Sequence, residues 1–178
     1  MFFHIEMQKE LLLYPRHFGP NIHELLVDKL ISSVEGSCSG RYGFVVCVTE
    51  VFEPGKGKIR EGGGLATFPM RFNAIVFRPF KGEVFDAVVT QVNKLGFFAQ
   101  VGPLQVFVSK HLIPSDMKFD PQSTPASYVS EVSDEQPQRV CKDSEVRLRV
   151  VATRIDASEI FAIGTIKDEY LGLIEGAA

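Results

Sequence analysis

The chain has 178 residues, 45% of them hydrophobic, with 15 Phe, 4 Tyr, no Trp and a formal net charge of −3. Such a composition excludes a disordered regulator and suits one large domain or two small ones. The acidic balance excludes a protein whose whole surface clamps nucleic acid. Cys38, Cys47 and Cys141 are odd in number and lack the close pairs of a zinc site, so a reducing compartment is expected. No apolar run reaches bilayer length and residues 1–6 carry no basic lead, which leaves cytosol or nucleus as the expectation.

In chain order, apolar bursts around residues 2–5 and 11–14 read as two strands separated by polar residues, with Pro15 ending the second. Gly19 and Pro20 then open a segment in which Ile22, Leu25, Leu26, Leu30, Ile31 and Val34 recur at helical spacing, and Gly36 is a natural residue just past its end. A strand follows over about 43–52, then a loop rich in Gly and Lys over 53–64. Two further extended segments lie within 65–78, the second being Ala74-Ile75-Val76-Phe77. Several strands and one helix make an α/β unit that ends near Pro79.

From Lys81 the pattern is all β, with strands expected at about 82–92, 96–101, 104–108, 145–155 and 159–166. Alternation falters at Ala87-Val88-Val89, where a bulge would let the first strand bend around a barrel. Five strands with a curved first strand suggest an oligonucleotide-binding barrel. Residues 114–143 hold several Pro and many Ser, Asp, Glu and Gln, and read as an insertion that is largely loop, with a helical turn near Leu112 or Tyr128.

Alternation puts Phe97, Ala99 and Val101 on the inner face of one strand, and Leu104, Val106 and Val108 on that of the next. Phe98 and Phe107 therefore point outward on neighbouring strands. In the fourth strand Arg147 and Arg149 share the face opposite Val146, Leu148 and Val150, which would set two guanidinium groups beside the aromatics. Flat rings and arginines suit unpaired bases and phosphates, so Phe98, Phe107, Arg147 and Arg149 are candidate RNA-binding residues. An equally good reading has the two phenylalanines covered by another subunit or by the insertion. Residues 1–80 carry nine basic and eight acidic side chains, against ten and fourteen in 81–178, so RNA affinity should be local and weak.

Catalysis has no supporting constellation. His4, His17, His23 and His111 are scattered, no nucleophile motif occurs, and Gly55-Lys56-Gly57-Lys58 lacks the spacing of a phosphate-binding loop. The expectation is no catalytic residue, no metal, no cofactor and no small-molecule substrate.

The run Gly82-Glu83-Val84, Leu95-Gly96-Phe97-Phe98 and Val106-Phe107-Val108-Ser109 resembles the RNA-binding repeat of ribosomal protein S-one. That repeat commonly holds an aromatic residue at the position of Phe98, histidine at that of Phe107 and a second aromatic at that of Leu95. End to end, the chain resembles the family of the seventh subunit of eukaryotic RNA polymerase II, the larger member of the two-protein polymerase stalk. The resemblance rests on Met1-Phe2-Phe3, Phe18-Gly19-Pro20, VEGSCSGRYG at 34–43, VFRPFKGE at 76–83, VFVSKHL at 106–112 and IGTIKDEYLG at 163–172. It implies an α+β protein with a truncated ribonucleoprotein-like α/β domain over 1–80 and an S-one type OB-fold β-barrel over 81–178.

The resemblance further implies a non-catalytic subunit in the nucleus, paired with the polymerase's fourth subunit and docked on the polymerase core, with nascent single-stranded RNA passing the barrel. The loop residues His17, Phe18, Gly19 and Pro20, with Gly62, Gly63 and Gly64, are the candidates for the core contact, because glycine lets another chain's backbone approach closely. Ordinary turns are the other reading of these loops. A free-standing RNA-binding protein, or the equivalent subunit of another nuclear polymerase, remains as the alternative function.

Overall fold

A computed structural model describes residues 1–123, 125–130 and 138–174. The chain divides into two compact units, Met1–Arg78 and Pro79–Ala178.

In the first unit, β1 (Phe2–Leu13), β2 (Cys38–Ser39), β3 (Gly43–Val51), β4 (Lys58–Ile59) and β5 (Ala66–Phe77) form one sheet in the order β1-β5-β3-β2, with β4 also on β5. The two strands expected near the N-terminus are a single strand. Ile5, Met7, Lys9, Leu11 and Leu13 are turned inward, while Glu6, Gln8 and Glu10 form the solvent half of the same period-two pattern. The two segments expected within 65–78 are likewise one strand, running through Pro69. The Pro69 carbonyl accepts from Gly55 N at 3.0 Å. Nitrogen and carbonyl of a strand residue point to the same side, so the missing N–H faces the gap between β3 and β4 and breaks no ladder bond with β1.

Helix α1 (Ile22–Val34) lies on one face of this sheet, as its spacing predicts, and buries Leu26, Leu30 and Val34. They pack with Leu11, Leu13, Val45, Met70, Phe72, Ala74 and Val76 in one core. Gly36 follows the helix at φ +74°, a conformation that costs glycine little. Lys9 threads its ammonium to the Ser33 carbonyl at 2.9 Å, and Lys29 reaches back to the Leu12 carbonyl at 2.5 Å.

In the second unit, β6 (Val84–Asn93), β7 (Gly96–Val101), β8 (Leu104–Ser109), β12 (Glu145–Ile155) and β13 (Ile160–Thr165) close a ring: β6-β7-β8-β13-β12, with β12 returning to β6. Only β13–β8 is parallel. This is the five-stranded OB-fold barrel. A register shift between Val89 and Gln91 bends β6, slightly beyond the expected position, and a second between Val150 and Ala152 bends β12. Phe97, Ala99, Leu104, Val106, Val108, Val146, Leu148 and Val150 fill the interior. Gly164 lies among them; a Cβ there would come within 2.8 Å of Val106 Cγ1.

The insertion, expected to be largely loop, holds three short strands that the sequence reading did not place. β9 (Met117–Asp120), β10 (Ser127–Ser130) and β11 (Arg139–Val140) form a three-stranded antiparallel sheet in the order β11-β10-β9. Residue 124 and residues 131–137 of that stretch lie outside the described residues. A 3-10 turn stands at Lys110–Leu112 as expected, but Tyr128 is a buried strand residue and not part of a helical turn. A short β14 (Gly172–Leu173) pairs with β12.

Candidate nucleic-acid interface and docking loops

Phe98 and Phe107 stand directly opposite one another in the β7–β8 ladder, on its outer side. Their ring centroids are 4.9 Å apart and the planes are tilted by 44°, an attractive arrangement for two quadrupoles. Both rings are half-buried, each against the other and the sheet, while Phe97 behind them is wholly inside. Gly96 makes the ladder possible. It has φ +147°, and a Cβ on it would come within 2.1 Å of the Val108 carbonyl oxygen.

The parallel register of β8 with β13 sets Ile163 beside Phe107 and Phe161 beside Gln105. Ile163 is 43% exposed and Phe161 39%. The outer wall therefore carries an apolar row, Phe98–Phe107–Ile163, across three strands. Sequence reasoning missed the β13 pair. The signal was available, since Phe161 and Ile163 are large apolar residues at the outward positions of a strand whose inner positions, Ile160, Ala162 and Gly164, are already apolar.

Arg147 and Arg149 are on the outer face as expected, but not beside the aromatics. β12 is separated from β7 by β6 and from β8 by β13, so the arginines and the phenylalanines occupy opposite sides of the barrel. Nor are the guanidinium groups open to a phosphate without exchange of partners. Arg147 makes a two-pronged bond to Asp86 at 2.7 and 2.9 Å, and Arg149 is paired with Asp168. The hydrogen bonds from Arg147 hold the Asp86 carboxyl below its ordinary range against a small opposing effect of burial, and the carboxylate in turn raises the arginine.

The two loops expected to make the core contact flank the same end of the first unit's sheet, where Gly64 approaches Pro15, just before His17. Leu13 pairs with Ala66 at the end of β1, and a Cβ built on Gly64 would lie 3.4 Å from Pro15 Cγ. His17 closes the 3-10 turn Pro15–His17, and Arg16 Nε donates to its Nε2 at 2.9 Å. Phe18, Gly19 and Pro20 lead from that turn toward α1, while Gly62 and Gly64 take positive φ in the turn after β4. Tyr14, Phe18 and Ile59 are exposed around this end. An open groove of about 400 Å³ adjoins it, lined by Leu13, His17, Leu25, Asp28, Lys29 and Ser32. Among the described residues no group of three or more His, Cys, Asp or Glu is placed to hold a metal ion.

Residues 9–64 match the SHS2 domain found in the N terminus of Rpb7p/Rpc25p/MJ0397, and residues 78–162 match the S1 RNA binding domain. With an SHS2 domain of the Rpb7p type followed by an S1 barrel, the chain falls in the class that its relatives' names define, the non-catalytic subunits of RNA polymerase. The chain is 54% identical over 178 residues to DNA-directed RNA polymerase II subunit RPB7 of Glycine max, covering all of this chain and 99% of that one. It is 39% identical over 176 residues to RNA polymerase II subunit RPB7 of Saccharomyces cerevisiae, covering 98% and 100%. With DNA-directed RNA polymerase V subunit 7 of Arabidopsis thaliana the identity is 31% over 151 residues, 83% of this chain and 82% of that one. The chain belongs to the RNA polymerase II subunit 7 (RPB7) family. Membership implies association with the polymerase and a nuclear location.

Proposed function

We propose that the chain is the larger stalk subunit of RNA polymerase II, pairing with the fourth subunit, docking through the loops at His17–Pro20 and Gly62–Gly64, and offering its barrel to nascent RNA. The observation that carries the RNA part is the Phe98–Phe107 pair, two outward rings 4.9 Å apart on adjacent strands and extended by Ile163. A base has two flat faces and stacks on such a platform whatever its identity, at about 1–3 kcal/mol per stacked base. Binding of this kind is sequence-tolerant, as a guide for any transcript must be.

The docking part rests on two glycine-bearing loops flanking one end of the sheet, ringed by Tyr14, Phe18 and Ile59. Exposed apolar residues clustered around permissive backbone suit a protein contact. Replacing residues 17–20 and 62–64 together by Ser-Ala linkers of equal length should abolish copurification with the polymerase core. Core binding that survives both replacements would remove the assignment.

For RNA, the double variant Phe98→Ala/Phe107→Ala should bind a single-stranded oligonucleotide at least tenfold more weakly by fluorescence anisotropy, with its circular dichroism unchanged. Unaltered RNA affinity together with collapse of binding to the fourth subunit would identify the row as a protein interface instead.

A further inference from the structure

A cleft of about 360 Å³ opens at the end of the β7–β8 ladder, lined by Lys94, Lys110, His111, Pro114, Ser115, Met117, Phe119 and Tyr128. Three elements make it. The β6–β7 turn brings Lys94, the 3-10 turn after β8 brings Lys110 and His111, and the three-stranded sheet brings Met117, Phe119 and Tyr128. The sheet is tied to the turn by the Tyr128 hydroxyl, which donates to the Asn93 carbonyl at 2.9 Å. Phe119 packs on Tyr128 at 5.5 Å between centroids. The two turns are held together by Lys110 N donating to the Leu95 carbonyl at 2.9 Å.

The cleft lies at the end of the strands that carry the aromatic platform. From the Phe98–Phe107 pair the ladder runs two residues to Gly96–Ser109, roughly 7 Å at 3.3–3.4 Å per residue, and Lys110 follows at once. Among the described residues neither Lys94 nor Lys110 has a carboxylate partner, in contrast to Arg147 and Arg149 across the barrel. The nearby acids are engaged elsewhere: Asp116 accepts from the Ser130 hydroxyl, and Asp120 from Ser123 and Gln122. In a domain with more acidic than basic residues, two uncommitted ammonium groups at the edge of an aromatic cleft mark a local site for an anion that carries a flat group.

We propose that this cleft holds the backbone phosphates adjoining the base stacked on Phe98 and Phe107, and so directs single-stranded RNA along the β7–β8 ladder toward the inserted sheet. The proposal rests on reading the β7–β8 face as an RNA platform. Lys94 and Lys110 supply the charge, His111 a ring nitrogen, and Phe119 a further surface for a base. The inserted sheet thereby acquires a role as the far wall of the RNA path.

The test is anisotropy of the full chain with a fluorescein-labelled twelve-nucleotide oligouridylate, at several potassium chloride concentrations. Two lost phosphate contacts should reduce the slope of log K against log salt by about 1.4, since each contributes roughly 0.7 on a single strand. Lys94→Ala/Lys110→Ala should show that reduced slope and bind at least fivefold more weakly at low salt, whereas Arg147→Ala/Arg149→Ala should stay within twofold of the parent. A lysine variant with parental slope and affinity, beside a weakened Phe98→Ala/Phe107→Ala, overturns the cleft and leaves the platform. Equal losses in the lysine and arginine variants would reduce the effect to overall charge and also overturn it. Displacement of the RNA as readily by a glutamate peptide of equal charge would identify a protein-binding site instead. No binding by the parent chain would remove platform and cleft together.

Discussion

Phe97 and Phe98 are neighbours in sequence with opposite work to do. Phe97 is wholly buried in the barrel, and its truncation leaves a cavity, so Phe97→Ala should cost about 3–5 kcal/mol in urea unfolding. Phe98 is half-buried, so its truncation forfeits part of its packing on the sheet and a ring contact with Phe107 worth about 0.5–1.5 kcal/mol beyond area; Phe98→Ala should cost less than Phe97→Ala and leave a folded barrel with weakened RNA binding. The reverse ranking in stability would show that Phe98 is structural. Asp86 gives a second residue-scale expectation. Its carboxyl is held low in the folded chain, so its contribution to stability is present above the ordinary aspartate range and is lost as pH falls through the lowered value. Asp86→Asn should flatten that part of the acid limb of the stability curve. Both partners are about half exposed, 47% and 54%, so solvent screening should keep the loss at neutral pH small. A large loss at pH 7 would mean that the pair is better shielded than its exposure indicates.

At the scale of elements, the β7–β8 ladder depends on one backbone position. Gly96→Ala must accommodate both a positive φ and a 2.1 Å approach to the Val108 carbonyl, and should destabilise the barrel by more than about 2 kcal/mol. Thermal unfolding followed by circular dichroism reads this directly, and a melting temperature within 2 °C of the parent, on the order of a few tenths of a kcal/mol, would contradict it. The outward pair was legible in the sequence because period-two alternation is strict over 97–101 and 104–108. Helix α1 was legible because its apolar residues recur at helical spacing between a proline and a glycine. What was not legible depends on pairing between distant strands. Nothing local places β13 parallel beside β8, so Phe161 and Ile163 could not be joined to Phe107, and nothing local sets β12 across the ring from β7, so the arginines could not be separated from the aromatics. The inserted strands were hidden differently, since Met117, Phe119, Tyr128 and Val140 are scattered through Ser, Pro and Asp residues whose composition reads as loop.

For the whole molecule, the division at Arg78 carries a consequence for how its tasks can be separated. Each unit has its own core, one between α1 and its sheet and one inside the barrel, and each sheet of the described residues belongs to one unit. A unit that buries its own apolar face can fold alone, although at 78 residues the first is near the size where a single core leaves only a few kcal/mol of net stability. Residues 79–178 expressed separately should therefore give a cooperative unfolding transition and bind the oligouridylate within about threefold of the full chain, a difference below roughly 0.7 kcal/mol. Residues 1–78 should bind no RNA and retain whatever affinity for the polymerase core resides in the loops at His17–Pro20 and Gly62–Gly64. An isolated barrel that folds but has lost its RNA affinity would move the RNA contact out of the β7–β8 face. Retention of that affinity would mean that the first unit adds no RNA contact of its own, and contributes by fixing the barrel to the enzyme that makes the transcript. Weak binding then suffices, because tethering at the source raises the effective RNA concentration without any new contact.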